Sequence, residues 1–233
     1  MKIKTMWRVL AFSAVFGLGL IGCGGDGNPS GGDNYNGGDN NTGGNNTGGG
    51  ASGTVMLGRL KWMTTNLNVE TADSWCYGEG GQVYVDGDGY VTLTPSQIQA
   101  NCAKYGRLYT WEAAKSACQS VGMRLPSRGE WAGLVTAVGG TSTSTAGKKL
   151  KSTSGWNNNG NGTNDYGFSA LPGGYRYSSG DFYGVGLVGM WWTATEYPSS
   201  NAYTRGMDSD SDFASEYDYY YKIEAFSARC VQE

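Results

Sequence analysis

The sequence predicts an α+β domain, and two helix signals set among short strands and turns predict it. Between Gly122 and Val135, Ser127 and Glu130 have the spacing of a capping box, in which each side chain satisfies a free backbone N–H at a helix start. Pro126 keeps an earlier helix from running through that cap. Behind it Trp131, Leu134, Val135 and Val138 recur at i, i+3, i+4 and i+7, one face of a helix, and Gly139-Gly140 supplies the stop. The second signal precedes it. Thr110 to Val121 carries Ala113, Ala114, Ala117, Cys118 and Val121 along one side. Helices this short are stable only with their apolar sides buried. The rest of the chain is mostly strand and turn, so a sheet is what they lie against.

Composition sets firm limits on the chemistry. Histidine is absent from the 233 residues, which excludes a Ser-His-Asp triad, a Cys-His pair, a histidine-ligated zinc and a histidine base. Residues 1–22 hold three cations and no acid, so 14 basic residues face 20 acidic ones in the remainder. No basic stripe occurs, and nucleic acid is not an expected partner.

Residues 1–22 read as a leader. Lys2, Lys4 and Arg8 precede an apolar run, Val9 to Ile21, too short for the ~20 residues that a spanning helix needs. Leu20-Ile21-Gly22-Cys23 resembles a bacterial lipobox, which implies cleavage before Cys23 and lipidation of its sulfur; an ordinary signal peptide containing a cysteine is the alternative. Residues 23–53 are almost wholly Gly, Asn, Asp, Ser and Thr and have nothing to bury. They are expected to form a tether with a reach of roughly 30 Å. A folded domain is expected over 54–233, long enough for one core.

Within it, Val55 to Trp62 reads as a first strand. Gln82–Val85 and Tyr90–Leu93 flank Asp86-Gly87-Asp88-Gly89, a hairpin signal. Thr94-Pro95-Ser96-Gln97 is a second capping box, with proline at the first helical position, opening a helix that carries Ile98, Cys102 and Tyr105. Thr141–Thr145 and Gly155–Gly162 read as loops. Tyr166–Leu171, Gly174–Tyr177, Gly189–Thr195, Ala202–Met207 and Ala225–Val231 read as strands. In Trp191-Trp192 successive side chains point to opposite faces, so one ring is expected in the core and the other on the opposite surface.

Six motifs in order then resemble one family: Tyr105 to Trp111, Arg124 to Ser127, Glu130-Trp131, Tyr166 to Gly174, Trp191-Trp192 and Phe226 to Val231. Together they resemble the Fibrobacter succinogenes major paralogous domain, common in lipoproteins and secreted proteins of fibre-degrading and gut bacteria. That domain is similar in pattern to the C-type-lectin-like fold. The resemblance implies two main helices against a loop-rich, mostly antiparallel sheet, with neighbouring termini. The calcium loop of sugar-binding C-type lectins is not reproduced: Glu196-Tyr197-Pro198 and Trp192-Thr193-Ala194 stand in the nearest places.

Setting aside Cys23, four cysteines remain, and the residues alone leave three pairings, or four reduced thiols, open. The resemblance joins the helix of Cys118 to the last strand with Cys230, leaving Cys76 for Cys102. Asp208, Asp210 and Asp212 alternate as in the first half of a calcium loop, but Phe213 and Tyr219 stand where glycine and glutamate are required, so a solvated hairpin tip competes with calcium there. No metal site or cofactor is assigned.

The expected function is a non-enzymatic binding module of the cell envelope. Lipid would anchor it, in an outer membrane and facing outward, where it would hold an extracellular polysaccharide or a surface protein. Trp191, Trp192, Tyr175 and Tyr203, with Asp208, Asp210 and Asp212, are the ligand-binding candidates, because rings with carboxylates beside them suit sugar recognition. Two other readings compete: a structural or adhesive surface protein, and a hydrolase using two carboxylates among Glu130, Asp165, Asp181 and Glu196.

Overall fold

The computed structural model describes residues 53–140 and 145–233. The expected leader (1–22), the Cys23 lipid site, the tether up to residue 52 and most of the Thr141–Thr145 loop lie outside the described residues.

The helices form where their caps stand. α1 (Pro95–Tyr105) and α3 (Arg128–Ala137) both open on complete capping boxes, Thr94 with Gln97 and Ser127 with Glu130. α2 (Trp111–Ser120) buries Trp111, Ala114, Ala117 and Cys118. Gly139, at φ +74°, closes the α3 turn. A short α4 (Ala146–Leu150) was not legible in the sequence, since its Ala-Gly-Lys-Lys-Leu has no cap.

Among the described residues the strands form three sheets. β1 (Thr54–Leu57), β2 (Leu60–Met63) and β12 (Val231–Gln232) form one; β3 (Ser74–Trp75) and β6 (Leu108–Tyr109) form a second. The largest contains β4 (Val83–Val85), β5 (Gly89–Val91), β7 (Gly173–Arg176), β8 (Phe182–Val185), β9 (Val188–Tyr197), β10 (Asn201–Asp208) and β11 (Ser215–Tyr221). Its order is β11-β10-β9-β7-β8-β4-β5. Pairing is antiparallel except at β4/β8 and β7/β9. The fold is thus α+β with mostly antiparallel sheets.

Three strand expectations need correction. Val55–Trp62 is a hairpin, not one strand, because Gly58 turns the chain at φ +68°. Tyr166–Leu171 forms no strand; Phe168 and Ala170 plug the core, and only an Ala170–Lys151 bridge pairs. Ala225–Ser227 makes single bridges to Arg176, Tyr109 and Trp191, so it is stitched among other strands before β12 begins.

β9 organises the core. Trp191 packs with Trp62, Trp131 and Phe168 on the α3 side of the sheet. Trp192 packs with Trp111, Tyr109 and Phe226 on the α2 side. Both indole N–H groups are satisfied, Trp191 by Asn66 Oδ1 at 2.9 Å and Trp192 by the Tyr109 carbonyl at 2.8 Å.

One buried group is poorly matched to its surroundings. Glu224 is 6% exposed, its Oε2 has no hydrogen-bond partner, and burial lifts its carboxyl to about 7. A carboxyl with a raised folded-state pKa favours folding at acid pH, and that contribution is lost as pH rises through about 7. Glu224→Gln should therefore match the parent at about pH 4, where the unfolded carboxyl is also largely protonated, and exceed it at about pH 8, by on the order of 1–2 kcal/mol. Urea unfolding at the two pH values checks this; a variant less stable than the parent at pH 8 contradicts it.

Candidate functional site

Strand register builds an aromatic face. Val83 pairs with Phe182, and both are buried, so the next residues, Tyr84 and Tyr183, emerge together on the other side of the sheet. Tyr84 stands opposite Tyr90, and Tyr183 opposite Tyr175, with Tyr177 two residues further on. Gly174 beside Gly189 aligns Tyr175 with Met190, which puts this row on the Trp192 side of the sheet. On the same side Asp208 pairs with Val188, Gly206 with Met190, and Thr204 with both Trp192 and Tyr217.

The result is a band of phenols crossing β5, β4, β8, β7 and β11. Tyr84 lies 5.4 Å from Tyr90 and 5.9 Å from Tyr183 between ring centroids. Tyr183 stacks on Tyr175 at 5.8 Å and meets Tyr177 at 5.1 Å. Tyr175 and Tyr220 both pack on Phe226, at 6.2 and 5.1 Å. Tyr217 donates to Asp208 Oδ2 at the far end. Exposure rises toward β5, reaching 43% at Tyr84 and 52% at Tyr90.

Two glycines permit this packing. A Cβ on Gly206 would come within 2.0 Å of the Tyr217 ring. Gly184 adopts φ +75°, and a Cβ there would meet Val188 at 2.6 Å and the Tyr175 ring at 3.4 Å.

The hydroxyls of Tyr175, Tyr183 and Tyr217 hold their protons firmly. Burial raises the Tyr175 phenol, with neighbouring tyrosines adding to the effect. The hydroxyls of Tyr90 and Tyr183 meet at 2.7 Å, and this hydrogen bond is the main cause of the raised Tyr183 phenol. Burial and then the Asp208 charge raise Tyr217. Asp208 is itself raised by burial, against the pull of the Tyr217 hydrogen bond. The band therefore offers a neutral surface of ring faces and O–H groups, with Asp208 as an acceptor at one end.

The sequence-predicted residues divide. Tyr175 and Asp208 belong to the band. Trp191 and Trp192 do not: both are 0% exposed, and neither ring has a face free for a ligand. Alternation does send them to opposite faces, but α3 and the first hairpin cover one face while α2 and Phe226 cover the other. Tyr203 sits elsewhere, under the Arg128 guanidinium at 4.3 Å and against Tyr197 at 5.6 Å.

Asp210 and Asp212 are exposed at a corner arranged around buried Lys151, whose ammonium donates to the carbonyls of Asp208 at 3.0 Å and Ser211 at 2.8 Å. Asp212 lies 4.0 Å from the Lys148 ammonium. Among the described residues no group of three or more Cys, Asp or Glu side chains is arranged to hold a metal ion.

The carboxylates considered for hydrolysis have separate neighbours. Arg124 grips Glu130 through two hydrogen bonds of 2.8 and 2.7 Å and holds its carboxyl down at about 2, unsuited to an acid role. Asp181 accepts from Ser179 and Glu196 faces Lys222 at 3.3 Å. Two surface hollows lie apart from the band. A mostly apolar groove of about 790 Å³ runs between the first hairpin (Leu57, Leu60) and α3 (Gly129, Gly133, Leu134). A pocket of about 540 Å³ adjoins the Cys76–Cys102 bond.

The Cys76–Cys102 and Cys118–Cys230 disulfides are both formed. Sequence reasoning missed Tyr84 and Tyr90 and left Tyr177, Tyr183, Tyr217 and Tyr220 out of the ligand-binding candidates. The usable signal was alternation within Val83-Tyr84-Val85 and Phe182-Tyr183. No curated protein and no solved structure matches the chain. The sequence profile of the Fibrobacter succinogenes major domain matches residues 55–232, and the chain belongs to that family.

Proposed function

We propose that the chain is a lipid-anchored binding module of the cell envelope, non-enzymatic, whose tyrosine band holds an extracellular carbohydrate polymer. The observation that carries this reading is the band itself. Ring faces and neutral hydroxyls lie side by side on a paired-strand scaffold, most exposed at Tyr84 and Tyr90. Sugar rings present C–H faces that pack on aromatic rings and hydroxyls that pair with O–H groups.

Anchoring rests on the lipobox at Cys23, with the leader of residues 1–22 removed and residues 23–53 as a tether. The outward-facing outer membrane is the location this implies. The reading also includes a C-type-lectin-like fold. Supporting it are α2 and α3 lying against the mostly antiparallel sheet and a disulfide from α2 to the end of the chain.

A retention screen of the purified protein against soluble and insoluble plant and microbial polysaccharides tests the function. At least one neutral polysaccharide is expected to retain the parent, and a Tyr84→Ala/Tyr90→Ala variant should be retained less. Retention by none of them overturns the proposal and leaves a structural or adhesive spacer.

A further inference from the structure

The two disulfides occupy opposite surroundings. Cys118 and Cys230 are 0% exposed, enclosed by Trp111, Ala117 and Trp192. Cys76, just after β3 and 7% exposed, and Cys102, on α1 and 8% exposed, instead lie at the floor of a surface pocket of about 540 Å³ together with Asn68, Glu79, Gln99 and Arg107. Arg107 lies over the bond. Its side chain is 9% exposed, and Nη1 points at both sulfurs, 3.4 Å from Cys76 Sγ and 3.7 Å from Cys102 Sγ.

The guanidinium is fixed there from behind. Nε donates to Ser74 Oγ at 3.0 Å and Nη2 to the Ser74 carbonyl at 3.1 Å. Two carboxylates face it, Glu79 at 3.3 Å and Glu70 at 3.7 Å, and they offset part of its charge. A sulfur in a disulfide is a weak acceptor and gains little from a cation at this distance. A thiolate gains much more, since a neighbouring arginine stabilises the charged form of cysteine. The rate of disulfide exchange rises with the stability of the thiolate that leaves.

We propose that Cys76–Cys102 is a thiol–disulfide exchange site, open to an external dithiol while the domain stays folded. A thiolate of the dithiol attacks Cys102 Sγ, the Cys76–Cys102 bond breaks, and its electron pair leaves on Cys76 Sγ, the sulfur nearer Nη1. The dithiol's second thiol loses its proton and attacks the dithiol sulfur of the mixed disulfide, which expels Cys102 as a thiolate. The reagent ends as a disulfide, and the protein has gained two electrons and, once both sulfurs are protonated, two protons. Cys118–Cys230 has no comparable access and takes no part.

Dithiothreitol at pH 7 serves as the dithiol. The oxidised protein is incubated with it under native conditions, quenched with iodoacetamide at intervals and peptide-mapped. Cys76 and Cys102 should become alkylated together, several-fold faster than Cys118 and Cys230. Arg107→Met should slow that reduction. Glu79→Gln, which removes an opposing charge but keeps an oxygen for the Cys76 N–H it now accepts at 2.8 Å, should hasten it.

A merely bracing arginine predicts the reverse for Arg107→Met, since a loosened site reduces faster. Equal rates for the two bonds, faster reduction in Arg107→Met, or no acceleration in Glu79→Gln each overturns the proposal. If Arg107→Met does not fold, the comparison of the two bonds and Glu79→Gln decide.

Discussion

Arg229→Met should destabilise the domain by about 3–5 kcal/mol, because it takes the donor away from several buried oxygen acceptors at once. Arg229 is wholly buried, and among the described residues no carboxylate pairs with it. Burial lowers its guanidinium to about 9, so it is still charged at neutral pH. Oxygen acceptors hold that charge: Asn66 Oδ1 at 2.8 Å, the Met63 carbonyl at 2.9 Å, the Ser169 carbonyl at 2.7 Å and the Phe168 carbonyl. The Phe168 ring lies 4.5 Å from the guanidinium carbon.

These contacts join β2, the Phe168–Ser169 loop and the end of the chain. Asn66 extends the network by accepting from Trp191 and donating to the Tyr105 carbonyl at 2.8 Å. Methionine fills the volume but leaves three carbonyls without donors, at ~1–3 kcal/mol each, partly offset by sparing the desolvation of the charge. Lysine should rescue little, because an ammonium lacks the planar fork that reaches acceptors on several sides. Urea unfolding of both variants measures this, and a loss below about 1 kcal/mol for methionine would show that the network contributes little.

The second large effect concerns Cys118–Cys230. Its ends are 112 residues apart, so breaking it releases loop-closure entropy worth about 4–5 kcal/mol in the unfolded chain. The 26-residue separation of Cys76–Cys102 gives about 3.5 kcal/mol by the same reasoning. A Cys118→Ala/Cys230→Ala protein should therefore lose more stability than Cys76→Ala/Cys102→Ala. Loss of two fully buried sulfurs from the Trp192 cluster adds a packing cost to the first pair. Paired urea curves decide the order, and equal or reversed losses would put strain or residual unfolded structure ahead of loop length.

Local rules were the legible part of this fold. Thr94/Gln97 and Ser127/Glu130 form their caps because a capping box needs only four residues in sequence. The hairpin around Asp86–Gly89 is likewise written locally. β8 and β11 were not legible, since Gly184 interrupts one and the other alternates tyrosine with acid without an apolar run.

Trp191 and Trp192 show where local reasoning stops. Period-two alternation places them on opposite faces, yet what covers each face comes from residues such as Trp62 and Phe226, far along the chain. The tyrosine band has the same origin. Tyr84 and Tyr183 become neighbours only through the parallel pairing of β4 with β8, a contact across 99 residues that no local pattern specifies.

The central claim is tested most directly by titrating the protein with a polysaccharide that retains it. The parent should bind weakly, with Kd of about 10⁻⁴–10⁻³ M, and copies at a surface would strengthen the attachment through avidity. Tyr84→Ala and Tyr90→Ala remove exposed rings, so each should fold with a stability within about 0.5 kcal/mol of the parent. Each should nevertheless bind about tenfold more weakly, a loss of ~1.4 kcal/mol. Tyr221→Ala, which removes a ring 57% exposed but outside the band, should bind as the parent does. Parent-like affinity in both Tyr84→Ala and Tyr90→Ala would contradict the account.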